Sequence, residues 1–422
     1  MTRHAAAQPA SQAPAITATT ASPSERLTSL DILRGLTVLV MLFVNDLAGV
    51  TGVPGWMKHV QPPNADGMTF VDVVFPAFLF IVGLAMPLAF ERRFARGQSV
   101  PEVLRHLVLR AGSLLVIGVL MVNSDNVSDA GWLHPAAWGL LVYLAVCLVW
   151  MNLPGIKRSL LVRFAGVALI VCLVFAFKGQ GAGALIELRP SWWGILGLIG
   201  WAYLVTGLIY LAGRGNSLVL AAAIPLLYCV YFADRAGFFA RLSAFDSLVD
   251  FGSMLGSHAA ITASGALLGL TLLPPARTHR SRLLAAVLLG AAFAVAGLLL
   301  HSLHSLHPMF IYNKIAATAP WCLLSCAWTA WIWAAIYWLS EVARVRKGTS
   351  WLAAAGQNAL FAFILGPIAY TLLGLGSRLP GIASWSWLGD RFSTGLFRSI
   401  LFAVAATWLT AFLHRRRLTL RL

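Results

Sequence analysis

The sequence predicts an all-α membrane bundle of about 11–12 transmembrane helices with both termini cytoplasmic, and three observations carry that expectation. Of the 422 residues, 59% are hydrophobic and only 11% charged, with a mean hydropathy of +0.79. Soluble domains carry about 25% charged residues, because a water-facing surface must be covered. The apolar residues gather into runs near the roughly 20 residues that a helix needs to cross the hydrocarbon core. Between the runs the basic residues alternate: 21 Lys and Arg fall in one set of connecting segments and 9 in the other, with Arg34 inside the first run.

Taken in order, the runs predict spans at roughly 29–50, 68–90, 106–122, 133–153, 159–177, 191–212, 217–233, 255–273, 283–303, 317–339, 351–375 and 393–413. The third and seventh are short, which leaves eleven as the alternative count. The positive-inside rule puts the richer basic set, and with it both termini, in the cytoplasm. That set includes Arg92, Arg93, Arg96, Arg415, Arg416 and Arg417, whereas Lys58, Arg235, Lys314 and Arg398 belong to the poorer one. Residues 1–25, rich in Ala, Ser, Thr, Pro and Gln, read as a disordered cytoplasmic tail, and 26–422 as one transmembrane domain. The tail lacks the apolar core of a cleaved signal peptide.

A net charge of +16 raises nucleic acid as a partner, but the basic residues are scattered through short connectors and form no face, so that class is set aside. Cys147, Cys172, Cys229, Cys322 and Cys326 all lie in apolar runs and read as buried thiols acting as small hydrophobes. No phosphate-binding loop, dinucleotide fingerprint or zincin motif stands at a credible position. His301, His304 and His307 recur every third residue, which spreads them round a helix; interfacial histidines are expected there and no metal site.

Charged groups inside spans are costly and mark function or a buried pair. Asp31 and Arg34 share a face of the first helix, either as a structural ion pair or with Arg34 meeting a phosphate-bearing ligand from the cytoplasm. At the other end of that helix stand Asn45 and Asp46, followed by an outward loop with Lys58-His59 and Asn64-Ala65-Asp66-Gly67. The second span then opens with Asp72, and Pro76 cannot donate to the Asp72 carbonyl. A hairpin therefore brings a carboxylate and an imidazole, which titrates near neutrality, to one end of the bundle. His258 reads as structural, Gln357-Asn358 as amides bonding between helices, and Trp192, Trp193, Trp385 and Trp387 as an interfacial belt.

The stretches Leu30-Asp31-Ile32-Leu33-Arg34-Gly35, Phe43-Val44-Asn45, Lys58-His59 and Val71-Asp72-Val73-Val74-Phe75-Pro76 resemble the opening of the heparan-alpha-glucosaminide N-acetyltransferase family and its bacterial relatives. Ile311-Tyr312-Asn313-Lys314-Ile315 and Gly356-Gln357-Asn358-Ala359-Leu360 resemble later shared segments. The resemblance implies a multi-helix membrane enzyme of the bacterial inner membrane that carries an acetyl group from cytoplasmic acetyl-CoA, its co-substrate, to a sugar or glycan on the periplasmic side. It implies His59 as the active-site histidine and Asn45 as its support; Asp72 matches the surrounding motif and is expected to complete the catalytic set by fixing the histidine tautomer. Arg34, Asp31, Asn313 and Lys314 are the residues expected toward the donor. It also suggests a homodimer in contact with membrane lipid. The first outer loop, with Gln61-Pro62-Pro63-Asn64-Ala65-Asp66-Gly67, departs from the eukaryotic pattern, so the acceptor is left open. The same polytopic pattern also suits a transporter or flippase for a sugar or lipid-linked sugar.

Overall fold

A computed structural model describes residues 27–129, 131, 133–152, 160–179, 186–245, 247–273, 278–345, 347–377 and 385–422. The tail at 1–25 lies outside these, as do Arg3, Arg26, Lys157, Arg158, Arg277, Arg346 and Arg378 of the basic count. The helices are α1 (Thr28–Leu47), α2 (Phe70–Phe94), α3 (Val100–Ser124), α4 (Pro135–Trp150), α5 (Leu160–Ala176), α6 (Gly194–Ala212), α7 (Ser217–Arg235), α8 (His258–Leu270), α9 (His279–His301), α10 (Ala319–Tyr337), α11 (Ser350–Gly356), α12 (Ala359–Gly376) and α13 (Phe392–Arg415). Among the described residues the only strands are β1 (Met151–Asn152) and β2 (Thr419–Leu420), paired antiparallel. The protein is a multi-pass membrane helix bundle: eight of the helices are long and apolar enough to cross a bilayer. Each expected span coincides with a helix, except that the eleventh is split into α11 and α12.

Three departures have local causes. Helix α3 starts at Val100, ahead of its apolar run, because Ser99 and Glu102 form a capping box: the Glu102 carboxylate accepts from the Ser99 N–H at 2.6 Å and from its hydroxyl at 2.8 Å. Helix α8 is entered through a π-helical turn at Phe251–Ser257, capped by Asp250, whose side chain accepts from the Ser253 N–H at 2.7 Å. The break between α11 and α12 falls at Gln357-Asn358. The Asn358 side chain turns to the carboxy-terminal strand, donating to the Leu418 carbonyl at 3.1 Å and accepting from the Leu420 N–H at 3.0 Å.

Lipid-embedded helices gain nothing from burying apolar surface against each other, so small residues let their backbones approach. Helix α2 lies against α8 in this way: a methyl at Gly83 would collide with the Thr262 carbonyl, and one at Gly265 with the Phe80 carbonyl. The central packing holds Leu79, Phe80, Ile81, Leu84, Trp321, Trp333 and Tyr337, all essentially inaccessible. The outer surface carries exposed Leu161, Leu218, Leu226 and Leu299, the reverse of a soluble protein and as hydrocarbon solvent demands. Of the five cysteines only Cys322 and Cys326 are buried. Cys172 and Cys229 are exposed on the outer surface, since an apolar run in a membrane helix has a lipid face as well as a core face.

Helix α1 is pinned at both ends by polar groups. At one end Asp31 accepts from the Gln357 side chain at 3.0 Å and pairs with Arg34 at 3.5 Å. At the other, Asp46 is 3% exposed and accepts from Arg398 Nε at 2.9 Å, the Ser399 hydroxyl at 2.7 Å and the Tyr370 hydroxyl at 3.0 Å. Arg398, expected in a connecting segment, is thus an interior residue of α13 and only 6% exposed.

Candidate active site

The loop from α1 to α2 is short enough to return its histidine to the start of α2. Thr69 is the residue before that helix and Asp72 lies in its first turn, so the carboxylate reaches back to the Thr69 N–H at 3.1 Å. The Thr69 hydroxyl lies 2.8 Å from the Lys58 carbonyl and 3.1 Å from the same Asp72 oxygen, joining the loop to the helix. The other carboxylate oxygen, Oδ1, is 2.7 Å from His59 Nδ1. An ionised carboxylate only accepts, so Nδ1 carries the proton and Nε2 presents a lone pair. Asp72 is 3% exposed at its side chain and His59 43%, so a buried base holds a ring that faces the outside.

Lys314 arrives from the segment before α10. Its Nζ is 3.3 Å from His59 Nε2 and 3.5 Å from Nδ1. Near-equal distances to the two nitrogens put the amine off the axis of the Nε2 lone pair, which stays available. Burial lowers the Lys314 pKa, opposed by the charge of Asp72. The segment is rigidly built. The Asn313 N–H donates to the Thr318 hydroxyl at 3.0 Å, that hydroxyl donates to the Ile311 carbonyl at 2.7 Å, and Ala317 adopts a left-handed φ of 48°. For a residue with a Cβ that conformation costs about 1–2 kcal/mol, which the surrounding bonds must offset.

The two outer segments are stitched together. Asn313 is 5% exposed and its side chain donates to the carbonyls of Pro63 at 2.8 Å and Ala65 at 3.1 Å. Asp66 accepts from the Tyr312 N–H at 2.7 Å and contacts His301 Nε2 at 2.8 Å, while the His301 ring stacks on Tyr312 with centroids 4.0 Å apart. His304 also stacks on His301 and His307 caps a 3-10 turn at Pro308–Phe310, so these histidines organise the loop.

Of the residues expected at the site, His59, Asp72 and Lys314 are brought together. Asn45 is exposed at the end of α1 and is not among the hydrogen-bond partners of His59. Asn313 is a strut for the loop, and His258 is buried edge-on to Phe75, one turn inward of Asp72, with centroids 5.2 Å apart. Asp31 and Arg34 lie at the opposite end of α1, with the α11 amide.

Arg34 lines a cavity of about 440 Å³ at that opposite end. Arg93, His106, Arg110, Gln357 and Arg421 also line it, with no Asp or Glu side chain among the described residues of its walls. Sequence reading missed this gathering, because its cations come from α1, α2, α3 and the segment that follows β2. Arg110 lies over the Tyr203 ring at 5.2 Å, and its buried Nε has no partner among the described residues. Farther in, the walls become apolar, with Phe78, Ile81 and Val82 of α2. Phe78 is six residues from Asp72 on the same helix, about 9 Å along its axis.

Residues 26–241 match a family described as a domain of unknown function, DUF5009. The chain is 31% identical over 149 residues to the heparan-alpha-glucosaminide N-acetyltransferase of Mus musculus, a stretch covering 35% of this chain and 20% of that protein. It is 30% identical over 148 residues to the Homo sapiens enzyme, covering 35% of this chain and 19% of the relative. The match thus spans about a fifth of the length of these curated relatives.

Proposed function

This chain belongs to the DUF5009 family, and on that premise we propose that it is a membrane acetyltransferase using acetyl-CoA as donor and a sugar or glycan as acceptor. One observation carries the reading: the buried Asp72 holds His59 at one end of α2, and a cavity with four arginines and, among the described residues, no carboxylate side chain opens along the same helix. The similarity to mammalian N-acetyltransferases supports the chemistry. The basic asymmetry supports the arginine-lined end as cytoplasmic and the His59 end as periplasmic in a bacterial inner membrane.

The nucleotide phosphates of acetyl-CoA would be met by Arg34, Arg93, Arg110 and Arg421, for which guanidinium forks are suited. The thioester would extend along the apolar wall formed by α2. At the other end, His59 Nε2 takes the proton from the acceptor amine or hydroxyl as that atom attacks the thioester carbonyl. Asp72 holds the tautomer and stabilises the imidazolium. The carbon–sulfur bond breaks, and the thiolate leaves with the proton that the imidazolium returns. Lys314, beside the ring, supplies a donor for the carbonyl oxygen as negative charge develops there.

The test is release of free CoA by the purified protein in vesicles supplied with acetyl-CoA and a panel of amino sugars and glycans, beside His59→Ala. Acceptor-dependent thiol release that disappears in the variant is expected. Acceptor uptake into the vesicles without thiol release would replace this reading with transport.

A further inference from the structure

Helices α1, α2 and α10 enclose a second groove, of about 520 Å³, on the outer surface of the bundle. Its walls include Leu36 and Val40 of α1, Val73 and Ala77 of α2, and Trp328 and Ile332 of α10. Trp328 is 48% and Ile332 41% exposed, so the groove opens sideways into the hydrocarbon. Among the described residues no charged side chain lines it, and its three hydroxyls are already bonded within the protein. Thr37 donates to the Leu33 carbonyl at 2.8 Å, Thr329 to the Ser325 carbonyl at 2.8 Å, and Thr69 to the Lys58 carbonyl at 2.8 Å. A sugar ring placed there would give up its bonds to water and gain none, whereas a hydrocarbon chain loses nothing.

Thr69 and Phe70 also line the groove. Thr69 is the residue whose N–H holds the Asp72 carboxylate, so the apolar wall runs directly into the support of His59. Phe70 meets Trp56, which is 65% exposed, with ring centroids 6.0 Å apart; this pair sits at the mouth, where aromatic rings favour the membrane interface. From Thr69 to Ala77 the groove follows α2 for about 12 Å.

We propose that the acceptor is an amphiphile, a sugar or amino sugar carried on a hydrocarbon chain, whose chain lies in the α1–α2–α10 groove and whose polar head is thereby presented to His59. The proposal rests on the acetyl-transfer reading for its consequence and on the groove alone for binding. Substrate enters from within the membrane, and the two cavities divide the work: a cationic one for an anionic donor and an uncharged one for the acceptor's chain.

The probe is a dodecyl glucosaminide with a diazirine at the end of its chain, photolysed with the protein in phospholipid nanodiscs. Labelling at Val40, Val73, Trp328 and neighbouring groove residues is expected. It should saturate, compete with unlabelled dodecyl glucosaminide and resist methyl glucosaminide. Labelling that never saturates, or that falls outside the groove, makes the groove ordinary lipid-facing surface and overturns the proposal. In the thiol-release assay, the dodecyl compound should show a KM at least about tenfold below that of the methyl compound, since each buried methylene favours binding. Val73→Trp and Ile332→Trp, which fill the groove from two helices, should each erase most of that ratio while leaving kcat for methyl glucosaminide unchanged. Partitioning of the amphiphile into lipid acts equally on all three proteins, so a preserved ratio in both variants also sinks the proposal. Saturable groove labelling without thiol release from any acceptor would instead count against acetyl transfer alone.

Discussion

His59 Nδ1 stands 2.7 Å from Asp72 Oδ1 across thirteen residues of sequence, and the exposure of the two side chains differs widely, 43% against 3%. The carboxylate cannot move: its second oxygen is held by the Thr69 N–H at 3.1 Å, within the first turn of α2. The ring is therefore a solvent-facing group held by a fixed base, and its reactive nitrogen is chosen by that base.

Asp72→Asn tests the choice. The amide keeps the size of the carboxylate, but can donate as well as accept, so the ring is no longer held with its proton on Nδ1. Where a carboxylate orients a catalytic imidazole in the same way, this change costs about 10⁴ in kcat. A loss of at least about 100-fold in thiol release is expected here, with unchanged helical circular dichroism. Full turnover in a folded Asp72→Asn protein would remove Asp72 from the mechanism.

Lys314 predicts an alkaline limit. Burial disfavours its charged form, so the ammonium is lost at a lower pH than that of a free lysine, 10.5. If the charged amine is the form that assists transfer, kcat/KM should fall with rising pH at a midpoint below 10.5. Lys314→Arg keeps a charge at every accessible pH and should abolish that limb, whereas Lys314→Met should lower the rate at all pH values by about 10- to 1,000-fold. The sign for stability is opposite. A lysine with a lowered pKa binds fewer protons folded than unfolded, so its contribution rises as pH climbs through the lowered value toward 10.5. A pH–rate profile in which wild type and Lys314→Arg coincide would refute the assignment.

How far the site could be read from sequence follows from chain separation. His59 and Asp72 belong to one hairpin, so a loop and a helix start sufficed to bring them together. Lys314 is 255 residues from His59; its segment was recognisable by resemblance, but its position beside the imidazole was not. Asp46 and Arg398 are 352 residues apart, and Arg398 reads as a connector cation because the carboxylate that pairs with it lies on α1. The arginine-lined cavity was hidden for the same reason, as its cations are contributed by separate helices. Membrane helices themselves were legible because hydropathy is a local property, whereas which face meets lipid is not, as Cys172 and Cys229 show.

Arg110 and Arg34 predict a donor-specific defect. If the cavity they line receives the nucleotide end of acetyl-CoA, Arg110→Gln and Arg34→Gln should each raise the KM for acetyl-CoA by about 10- to 100-fold, the range expected from one charge-assisted hydrogen bond. S-acetyl-pantetheine lacks the nucleotide, and its KM should barely change. Equal rises for both donors would mean that the substitutions disturb the fold or the thioester path and that the cavity is not a phosphate site.

The buried cluster at Asp46 predicts a stability effect that is independent of chemistry. Asp46 accepts from Arg398 Nε at 2.9 Å and from the Ser399 hydroxyl at 2.7 Å, and both partners are nearly inaccessible. Removing one ion from such a pair leaves the other buried and unpaired, at a cost of about 3–5 kcal/mol, while replacing both with apolar residues is often neutral. Asp46→Leu and Arg398→Met should each shorten the half-life of the detergent-solubilised protein at elevated temperature, and the double variant should regain most of it. The α1–α2 loop follows directly from this end of α1, so the single variants should also lose thiol release in proportion to the folded fraction and no further. A double variant as unstable as either single one would mean that Tyr370 and Ser399 also require the carboxylate, and that the cluster acts as a network in place of a pair.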